Sequence, residues 1–344
     1  MRSDVNSMGE TMPHEIHPWA QIAENYGHTL LLGNGASIAV NRSFSYGSLL
    51  EHAREQGLLV EDVERLFGFF ETEDFELILR IVWQATNVNR SLQIQDERTR
   101  EAYVRVRDCL IASVRSIHPE HGQVSEVLPA LYQFMKRFKT VLSLNYDLII
   151  YWASMHGWNI PDGHVMKDCF VGGGVFHDEW RELREPIRDQ RSTTLVFYPH
   201  GSLILCRNRI EQERKIHNRD AGLLEAILDR WRSETVVPLF VSEGTWQQKV
   251  ASIQNSYYLS TVYREVLPSE TESLVVYGWG FGEQDLHLLK RMCGAGIQRV
   301  AVSVYGADQA YCNRVLPIIE QALGAVRVDF FDSQSPGCWS QAAA

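Results

Sequence analysis

The sequence is poor in the features that mark membrane, secreted and nucleic-acid-binding proteins. It has no apolar run close to the roughly 20 residues that cross a bilayer, and the opening segment, Met1 to Glu15, lacks the apolar core of a signal peptide. Its 6 cysteines form no Cys-x-x-Cys pair, which disfavours a zinc ribbon and a disulfide scaffold. Lys plus Arg number 33 against 43 for Asp plus Glu, and the net charge of -10 disfavours general binding to phosphate backbones. We therefore expect a cytoplasmic protein with free thiols, no membrane contact and no direct nucleic-acid binding.

What remains is the composition of a soluble globular protein, with 45% hydrophobic and 22% charged residues in a chain of 344. This length fits one large α/β domain or two packed lobes. Amphipathic helical stretches alternate with short apolar runs, which predicts an α/β fold: a Rossmann-like, doubly wound parallel sheet. The apolar runs of strand length are 28–32, 140–144, 194–198, 236–241, 273–277, 299–304 and 326–331.

The pattern divides the chain into three parts. Residues 1–27 form a lead and a first helix, 28–332 form the Rossmann-like domain, and 333–344 are predicted to be a loose tail. Within the domain, apolar residues recur at helical spacing from about 60 to 139, which predicts an all-helical insert packed on the sheet. The stretch 161–191 is rich in glycine and charge and is predicted to be a loop that could cover a site.

The first candidate site is the glycine turn that follows the first apolar run. Gly33, Gly35, Ala36 and Ser37 would form an exposed strand-to-helix turn. In such a turn glycines let backbone N–H groups approach a phosphate, and the helix N-terminus favours an anion. The third glycine of the usual dinucleotide fingerprint is missing, since Ile38 stands at its position. On its own the pattern fits a nucleotide site and a plain tight turn equally well.

Polar side chains follow two further runs at the point where a strand would end. Asn145 and Asp147 come directly after one run, and His200 comes shortly after another. Ligands of open α/β sheets bind at the carboxyl ends of strands, which makes these side chains candidates. Histidine can also act as a base at neutral pH, because its unperturbed pKa is about 6.5. The competing interpretations are a loop whose Asn and Asp satisfy local backbone groups and a histidine with a structural role.

The last motif is a second glycine-rich turn, after the run 273–277. It contains Gly278, Phe281 and Asp285. Such a turn lets a ribose or an adenine lie against backbone, whereas Asp285 could equally do no more than cap the next helix.

Taken in order, these motifs resemble those of the sirtuin-like NAD-consuming superfamily. The order is Gly-x-Gly-Ala-Ser, Asn-Tyr-Asp, His-Gly and Gly-x-Gly-Phe-x-x-x-Asp. The segment 238–244, Pro-Leu-Phe-Val-Ser-Glu-Gly, is similar to the one that follows the catalytic histidine in that fold. The similarity runs from about Thr29 to Leu289, and the chain looks most like the bacterial sirtuin-like domains of anti-phage systems. It lacks the zinc module of the sirtuin deacylases, with its two Cys-x-x-Cys pairs, and this departure disfavours protein deacylation.

The resemblance implies an NAD+ glycohydrolase that releases nicotinamide and ADP-ribose, as an NAD-depleting effector of anti-phage defence. It assigns the pyrophosphate to the Gly33–Ser37 turn, the nicotinamide-side ribose and a water to Asn145, and a ribose hydroxyl or that water to His200 as general base. Asp147 would orient the Asn145 loop and could contact the nicotinamide carboxamide, and the turn from Gly278 to Asp285 would hold the adenosine half. NAD would be the substrate, and no metal is expected, because oriented dipoles and a positioned water can stabilise the transition state.

Three other functions compete with this one: a hydride-transfer dehydrogenase, a non-catalytic NAD or ADP-ribose sensor, and a protein deacylase. The missing third glycine disfavours the first, and a pure binder needs neither Asn145 nor His200. An unregulated NAD hydrolase would drain its own cell, and the chain has no Gly-x-x-x-x-Gly-Lys-Ser/Thr motif, so we expect control by assembly or by another chain. The resemblance suggests a homo-oligomer, through the helical insert or the 161–191 loop, and a HerA-type ATPase as a partner.

Overall fold

The central strands of the main sheet are short apolar runs whose residues are all buried, as expected for parallel strands covered on both faces. The computed structural model describes residues 13–45, 47–216, 222–241 and 243–342, so the expectations for 1–12, Ser242 and the last two residues lie outside the described residues. Within them the strands are β1 (Ile16–Pro18), β2 (Thr29–Leu32), β3 (Thr140–Ser143), β4 (His164–Lys167), β5 (Phe170–Val171), β6 (Val175–Phe176), β7 (Ser192–Phe197), β8 (Gly201–Asn208), β9 (Glu213–Lys215), β10 (Val236–Phe240), β11 (Ser273–Tyr277), β12 (Arg299–Val304) and β13 (Arg327–Asp332).

Helices connect most of the strands and cover the sheet. In the same residues they are α1 (Trp19–Ile22), α2 (Asn34–Val40), α3 (Leu49–Glu55), α4 (Glu61–Phe69), α5 (Phe75–Ser91), α6 (Glu97–Ile117), α7 (His121–Val124), α8 (Leu128–Met135), α9 (Ile149–Gly157), α10 (Leu223–Arg232), α11 (Trp246–Gln254), α12 (Tyr257–Thr261), α13 (Leu286–Arg291) and α14 (Gln309–Leu323).

Within the described ranges the main sheet has eight strands, all parallel, in the order β1-β13-β12-β11-β2-β3-β7-β4. Strand order runs outward from β2 in two directions. On one side of β2 lies β3, and on the other side lies β11, which is followed outward by β12 and β13. This arrangement, flanked by helices, confirms the predicted fold class. The connections diverge between β2 and β11, which is where open α/β sheets bind ligands, outside the carboxyl ends of the strands.

The strand register brings three carboxyl ends together at this point. Leu32 of β2 pairs with Tyr277 of β11 on one side and with Ser143 of β3 on the other. The turns that follow these three strands are therefore neighbours at one edge of the sheet.

One run expected to contribute to the main sheet lies elsewhere. β10 pairs antiparallel with β8, in a separate sheet of order β10-β8-β9, and its register shifts between Pro238 and Leu239. Proline has no N–H to donate to the ladder, so it is tolerated at such an irregularity. Strand β8 is not among the predicted strands, and only three residues separate it from the end of β7. That turn is too short for the crossover that a parallel neighbour needs, so β8 leaves the main sheet.

Helices α4 to α8 occupy the region 60–139. The two longest, α5 and α6, begin at aspartate caps: the Asp74 side chain accepts from the backbone N–H groups of Glu76 and Leu77, and the Asp96 side chain accepts from that of Thr99. In the described part of the chain no helix is both long and apolar enough to span a membrane.

Two segments expected to be irregular are built into the fold. In the stretch 161–191, β4 adds an edge strand to the main sheet and Trp180 is buried. The prediction of a loose tail is wrong for residues 333–342, because Cys338 and Trp339 are buried and Trp339 Nε1 donates to the Ala36 carbonyl at 2.9 Å. Isolated buried side chains of this kind leave no periodic signal in a sequence.

Candidate functional site

Two glycine turns cross at the carboxyl edge of the sheet. Gly33 N donates to the Tyr277 carbonyl at 2.9 Å, and Gly35 N donates to the Gly278 carbonyl at 2.7 Å. A Cβ atom on Gly35 would lie 2.8 Å from the Gly278 Cα, and one on Gly278, whose φ is +66°, would lie 2.4 Å from the Ala36 nitrogen. A side chain at either position would collide with backbone, so glycine is required. We call these packed turns, Gly33–Ala36 and Gly278, the glycine crossing.

The glycine crossing corrects the expected role of the first turn. The amides of Gly33 and Gly35 already donate to carbonyls of the second turn, and Ala36 N donates to the Gly33 carbonyl at 2.9 Å. These three amides cannot cradle a phosphate without giving up those hydrogen bonds. Ser37 is not exposed either, with only 2% of its surface accessible. The glycines here serve the close packing of two turns.

Ser37 and Asp147 form a buried polar pair beside the glycine crossing. Ser37 Oγ donates to Asp147 Oδ2, and Asp147 Oδ1 accepts from the backbone N of Ile149 at 2.9 Å. Burial raises the pKa of Asp147, and the two hydrogen bonds oppose that effect. Since both carboxylate oxygens are used, Asp147 ties α2 to the start of α9.

Asn145 is held against the glycine crossing by its side chain. It is buried, and its Nδ2 donates to the Gly33 carbonyl at 3.0 Å. The bond fixes the amide plane at the edge of a cavity that the residue lines.

Two cavities adjoin the glycine crossing. Trp279 and Gly280 line both. The smaller cavity, of about 360 Å³, is lined by residues that include Gly33, Asn34, Asn145, Asp147, His200, Glu243, Lys249, Gln284 and Asp285. The larger cavity, of about 690 Å³, lies outside the ends of β11, β12 and β13 and is lined by residues that include Gly35, Arg42, Gly278, Ser303, Asp308, Tyr311 and Ser333.

His200 belongs to a buried polar cluster at the wall of the smaller cavity. Its Nε2 lies 3.7 Å from Asp285 Oδ1, too far for a hydrogen bond, and has no hydrogen-bond partner among the described residues. Asp285 Oδ1 accepts from Lys249 Nζ at 2.8 Å. The His287 ring lies behind, with its centroid 6.2 Å from that of His200. We call these four residues the His200 cluster.

Burial sets the protonation states of the His200 cluster. It lowers the pKa of His200 to about 3 and that of His287 to about 4, against the attraction of the Asp285 carboxylate. Burial also raises the pKa of Asp285, but the interactions with His200 and Lys249 outweigh it and the net shift is downward. At neutral pH the cluster therefore holds a Lys249–Asp285 ion pair beside two neutral imidazoles. A neutral His200 can accept a hydrogen bond at Nε2, but it is a weaker base than a histidine of ordinary pKa.

The predicted site residues are divided between the two cavities. Those lining the smaller one are Gly33, Asn145, Asp147, His200 and Asp285, and those lining the larger one are Gly35 and Gly278. Asp285 thus lines the smaller cavity with His200 while Gly278 lines the larger one, although the resemblance assigns both Asp285 and Gly278 to the adenosine half. Ala36, Ser37 and Phe281 are not among the lining residues. Phe281 stacks on Trp279 with ring centroids 4.3 Å apart and supports the cavity wall from behind.

Three titratable residues at or beside the smaller cavity are not among the predicted site residues. Lys249 lies on α11, where no motif draws attention to it. Glu243 lines the cavity; burial raises its pKa to about 7, and its carboxylate accepts from the backbone N–H groups of Leu49 and Leu50. His287 follows Asp285 by two positions, and this Asp-x-His pattern was a signal available in the sequence.

One group of side chains has the donor set of a metal site. His200, Asp285 and His287 each offer one ligand atom, and these atoms lie within 4.8 Å of one another. The prediction of no metal was made without this group, because His200 is far in sequence from Asp285 and His287.

Comparisons with known proteins give a family and distant likenesses to solved structures. The profile of a family described as "Domain of unknown function (DUF4917)" matches residues 30–339. A search of curated proteins finds no match. Among solved structures, a chain described as "Structural Basis for the Mechanism and Regulation of Sir2 Enzymes" is similar at 10% identity and a TM-score of 0.34, over 88% of this chain and 95% of that one. At this overlap, the fold assignment rests on the sheet order and register described above.

Proposed function

We propose that this chain, which belongs to the DUF4917 family, cleaves the nicotinamide–ribose bond of NAD and releases nicotinamide and ADP-ribose. The observation that carries the proposal is the pair of cavities at the switch point of the sheet. They share Trp279 and Gly280, and the smaller one contains Asn145 and an unpartnered His200 Nε2. The order of the sequence motifs, which resembles that of the sirtuin-like superfamily, supports the same substrate.

The two cavities suit the two halves of a dinucleotide. In the proposal the adenosine half occupies the larger cavity beside Gly278, and the nicotinamide ribose occupies the smaller one beside Asn145. The pyrophosphate would cross at the shared wall formed by Trp279 and Gly280. The backbone amides of the first glycine turn are already hydrogen-bonded. The negative charge of the pyrophosphate would therefore be neutralised by Arg42, which lines the larger cavity.

The reaction needs little covalent chemistry from the protein. The bond from the ribose anomeric carbon to the nicotinamide nitrogen breaks, and its electron pair leaves with nicotinamide, which departs neutral. The ribose gains oxocarbenium character, and water adds to the anomeric carbon and loses one proton to solvent. His200 Nε2 would accept a hydrogen bond from a ribose hydroxyl or from that water, and Asn145 would position the ribose. The Asp285 carboxylate at the same wall would favour the developing positive charge.

The biological setting is a further part of the proposal. The resemblance to bacterial sirtuin-like defence domains suggests an NAD-depleting effector of anti-phage defence that acts in the cytoplasm. It also suggests control by a homo-oligomer or by a separate HerA-type ATPase.

The direct test is nicotinamide release from NAD by the purified protein, followed by chromatography. We expect wild-type protein to release nicotinamide with ADP-ribose in equal amounts. His200→Ala and Asn145→Ala should each lose at least about 100-fold in rate, because each removes a positioned group from the reacting end. Matched controls are His177→Ala and Asn159→Ala, which change the same residue types at the surface and should keep the wild-type rate.

The same assay separates the competing functions. A sensor would bind NAD in calorimetry without releasing nicotinamide, and a dehydrogenase would form reduced cofactor with a suitable alcohol. A deacylase would release nicotinamide only when an acyl-lysine peptide is added. If either His200→Ala or Asn145→Ala is folded by circular dichroism and keeps the full rate, the role assigned to that residue is wrong.

A further inference from the structure

The His200 cluster contains buried ring nitrogens that make no hydrogen bond, which is unfavourable for the folded protein. His200 Nε2 and both ring nitrogens of His287 are buried and have no hydrogen-bond partner among the described residues. His200 is 3% exposed and His287 is 8% exposed. A buried polar atom without a hydrogen-bond partner is destabilising, because it has lost its water without gaining a replacement. A neutral imidazole carries one lone pair and one N–H, so His200 Nε2 and one nitrogen of His287 can each offer a lone pair. Two such lone pairs in one small space point to a single ligand that accepts both.

Asp285 adds a negatively charged oxygen donor to the two histidines. Asp285 lies at the end of the turn that leads into α13, and His287 lies in the first turn of that helix. The ligand atoms of His200, Asp285 and His287 lie within 4.8 Å of one another. Around one ion with bonds of about 2.0–2.1 Å they would need to approach to about 3.3 Å, which side-chain rotation can supply.

We propose that His200, Asp285 and His287 bind a divalent transition-metal ion of the zinc type, and that its binding inhibits NAD cleavage by occupying His200 Nε2. Two imidazole nitrogens and one carboxylate oxygen form a donor set that suits Zn²⁺, with a fourth position left for water. Such an ion would sit at the wall of the smaller cavity, because His200 and Asp285 line it. The inhibitory half of this inference rests on the proposed function, whereas metal binding does not.

Lys249 is the cation that competes for this site. Its ammonium donates to Asp285 Oδ1 at 2.8 Å and is itself buried, with 5% of the residue exposed. In the absence of metal it neutralises the carboxylate, and it repels a second positive charge nearby. For a metal ion to bind, the Asp285 carboxylate must therefore exchange the Lys249 ammonium for the metal ion. This makes Lys249 the residue that limits metal affinity.

Metal binding can be measured without NAD. The full-length chain is dialysed against a strong chelator and titrated with Zn²⁺ in a calorimeter, and with Co²⁺, whose visible absorption reports tetrahedral coordination. We expect one ion per chain. His287→Ala and Asp285→Asn should each weaken zinc binding by about 100-fold or more, since each removes one of three ligands. Lys249→Met keeps the length of the side chain without its charge and should tighten zinc binding by about tenfold.

The control is His177→Ala, which removes a surface histidine and should bind zinc like the wild type. The metal site is wrong if His287→Ala and Asp285→Asn, both folded by circular dichroism, bind zinc as tightly as the wild type. It is also wrong if Lys249→Met binds zinc more weakly than the wild type does.

Inhibition is tested with the nicotinamide assay, each protein being compared with its own zinc-free rate. Zinc should inhibit the wild type, and His287→Ala should need about 100-fold more zinc for the same fractional inhibition. If zinc binds through the three residues but leaves the wild-type rate unchanged, the inhibitory half is wrong. If zinc binds and the wild type shows no nicotinamide release under any condition, the metal site stands and the proposed function fails.

Discussion

Two buried histidines show how differently one side chain can be used in this protein. His200 leaves Nε2 without a partner at a cavity wall. His118 lies at the end of α6 with both ring nitrogens engaged: Nδ1 donates to the Pro119 carbonyl at 2.9 Å, and Nε2 accepts from the Leu148 backbone N at 3.0 Å. His118 thus ties the helical region to the turn after β3, and its role is structural.

The engaged ring of His118 should make stability depend on pH. Burial lowers its pKa to about 4 in the folded protein, against about 6.5 in an unfolded chain. Between these pH values the unfolded chain binds a proton that folded His118 does not take up. Unfolding free energy should therefore fall as pH drops from about 6.5 to about 4, by about 3 kcal/mol in full.

Urea unfolding of the wild type and His118→Gln, at about pH 7.5 and about pH 4.5, measures this contribution. The glutamine can accept from Leu148 N but does not titrate. The stability advantage of the wild type should shrink by about 2–3 kcal/mol at the lower pH, while shifts at other histidines cancel between the two proteins. An advantage that stays constant across this range would mean that His118 titrates alike in both states.

Single residues were predicted from the sequence where a strand end marked them and missed where packing alone placed them. Asn145 and His200 follow apolar runs, so their common cavity could be anticipated. Lys249 and His287 reach the His200 cluster because α11 and α13 pack there. A contact between segments so far apart in the chain cannot be predicted from the local sequence pattern. The direction of Asp285 toward His200 was missed for the same reason.

At the scale of elements, the glycine crossing stands where the resemblance implies a phosphate-binding turn. The same glycine pattern is compatible with phosphate binding and with the packing of two turns, because each requires a close approach to the backbone. Only the partner differs, and here it is the turn after β11 instead of an anion. The strands of the main sheet could be predicted from continuous apolar runs, whereas β8 and the register shift at Pro238 depend on pairing that no single run encodes.

Two matched substitutions test the glycine crossing. Gly35→Ala should lower the free energy of unfolding by about 1–3 kcal/mol, because its Cβ would lie 2.8 Å from the Gly278 Cα and one turn must move. Gly68→Ala, in α4 with open space around the added Cβ, should leave stability unchanged or raise it by up to about 1 kcal/mol. Urea unfolding of both variants gives the comparison. Equal effects of the two would show that the turns do not pack as described.

At the scale of the whole molecule, apolar surface is concentrated on the helical region 60–139. Large apolar side chains are exposed at the ends of two of its helices: Phe69 and Phe70 at the end of α4, and Val88, Leu92 and Ile94 at and after the end of α5. Phe69 is 80% exposed and Leu92 is 65% exposed. These exposed side chains form two separate groups, because the end of α4 lies at the start of α5, where Phe67 packs on Phe75, and the second group lies at the other end of α5. Scattered apolar residues are ordinary on a surface, but grouped ones favour an interaction site, so each group is a candidate.

We therefore predict that the chain forms a homo-oligomer through this region, which would also provide a means of controlling the proposed NAD cleavage. Light scattering at micromolar concentration should give the mass of two or more chains. Phe69→Ser with Leu92→Ser should shift the protein toward the monomer, since each serine removes about 1.5–3 kcal/mol of apolar burial at the interface. Ile210→Ser is the matched control, because Ile210 is 71% exposed on the β8–β9 turn, outside the helical region, and its loss should leave the mass unchanged. A wild type that is monomeric and cleaves NAD at the full rate would contradict the prediction, and an oligomer that only Ile210→Ser disrupts would move the interface to the β8–β9 turn.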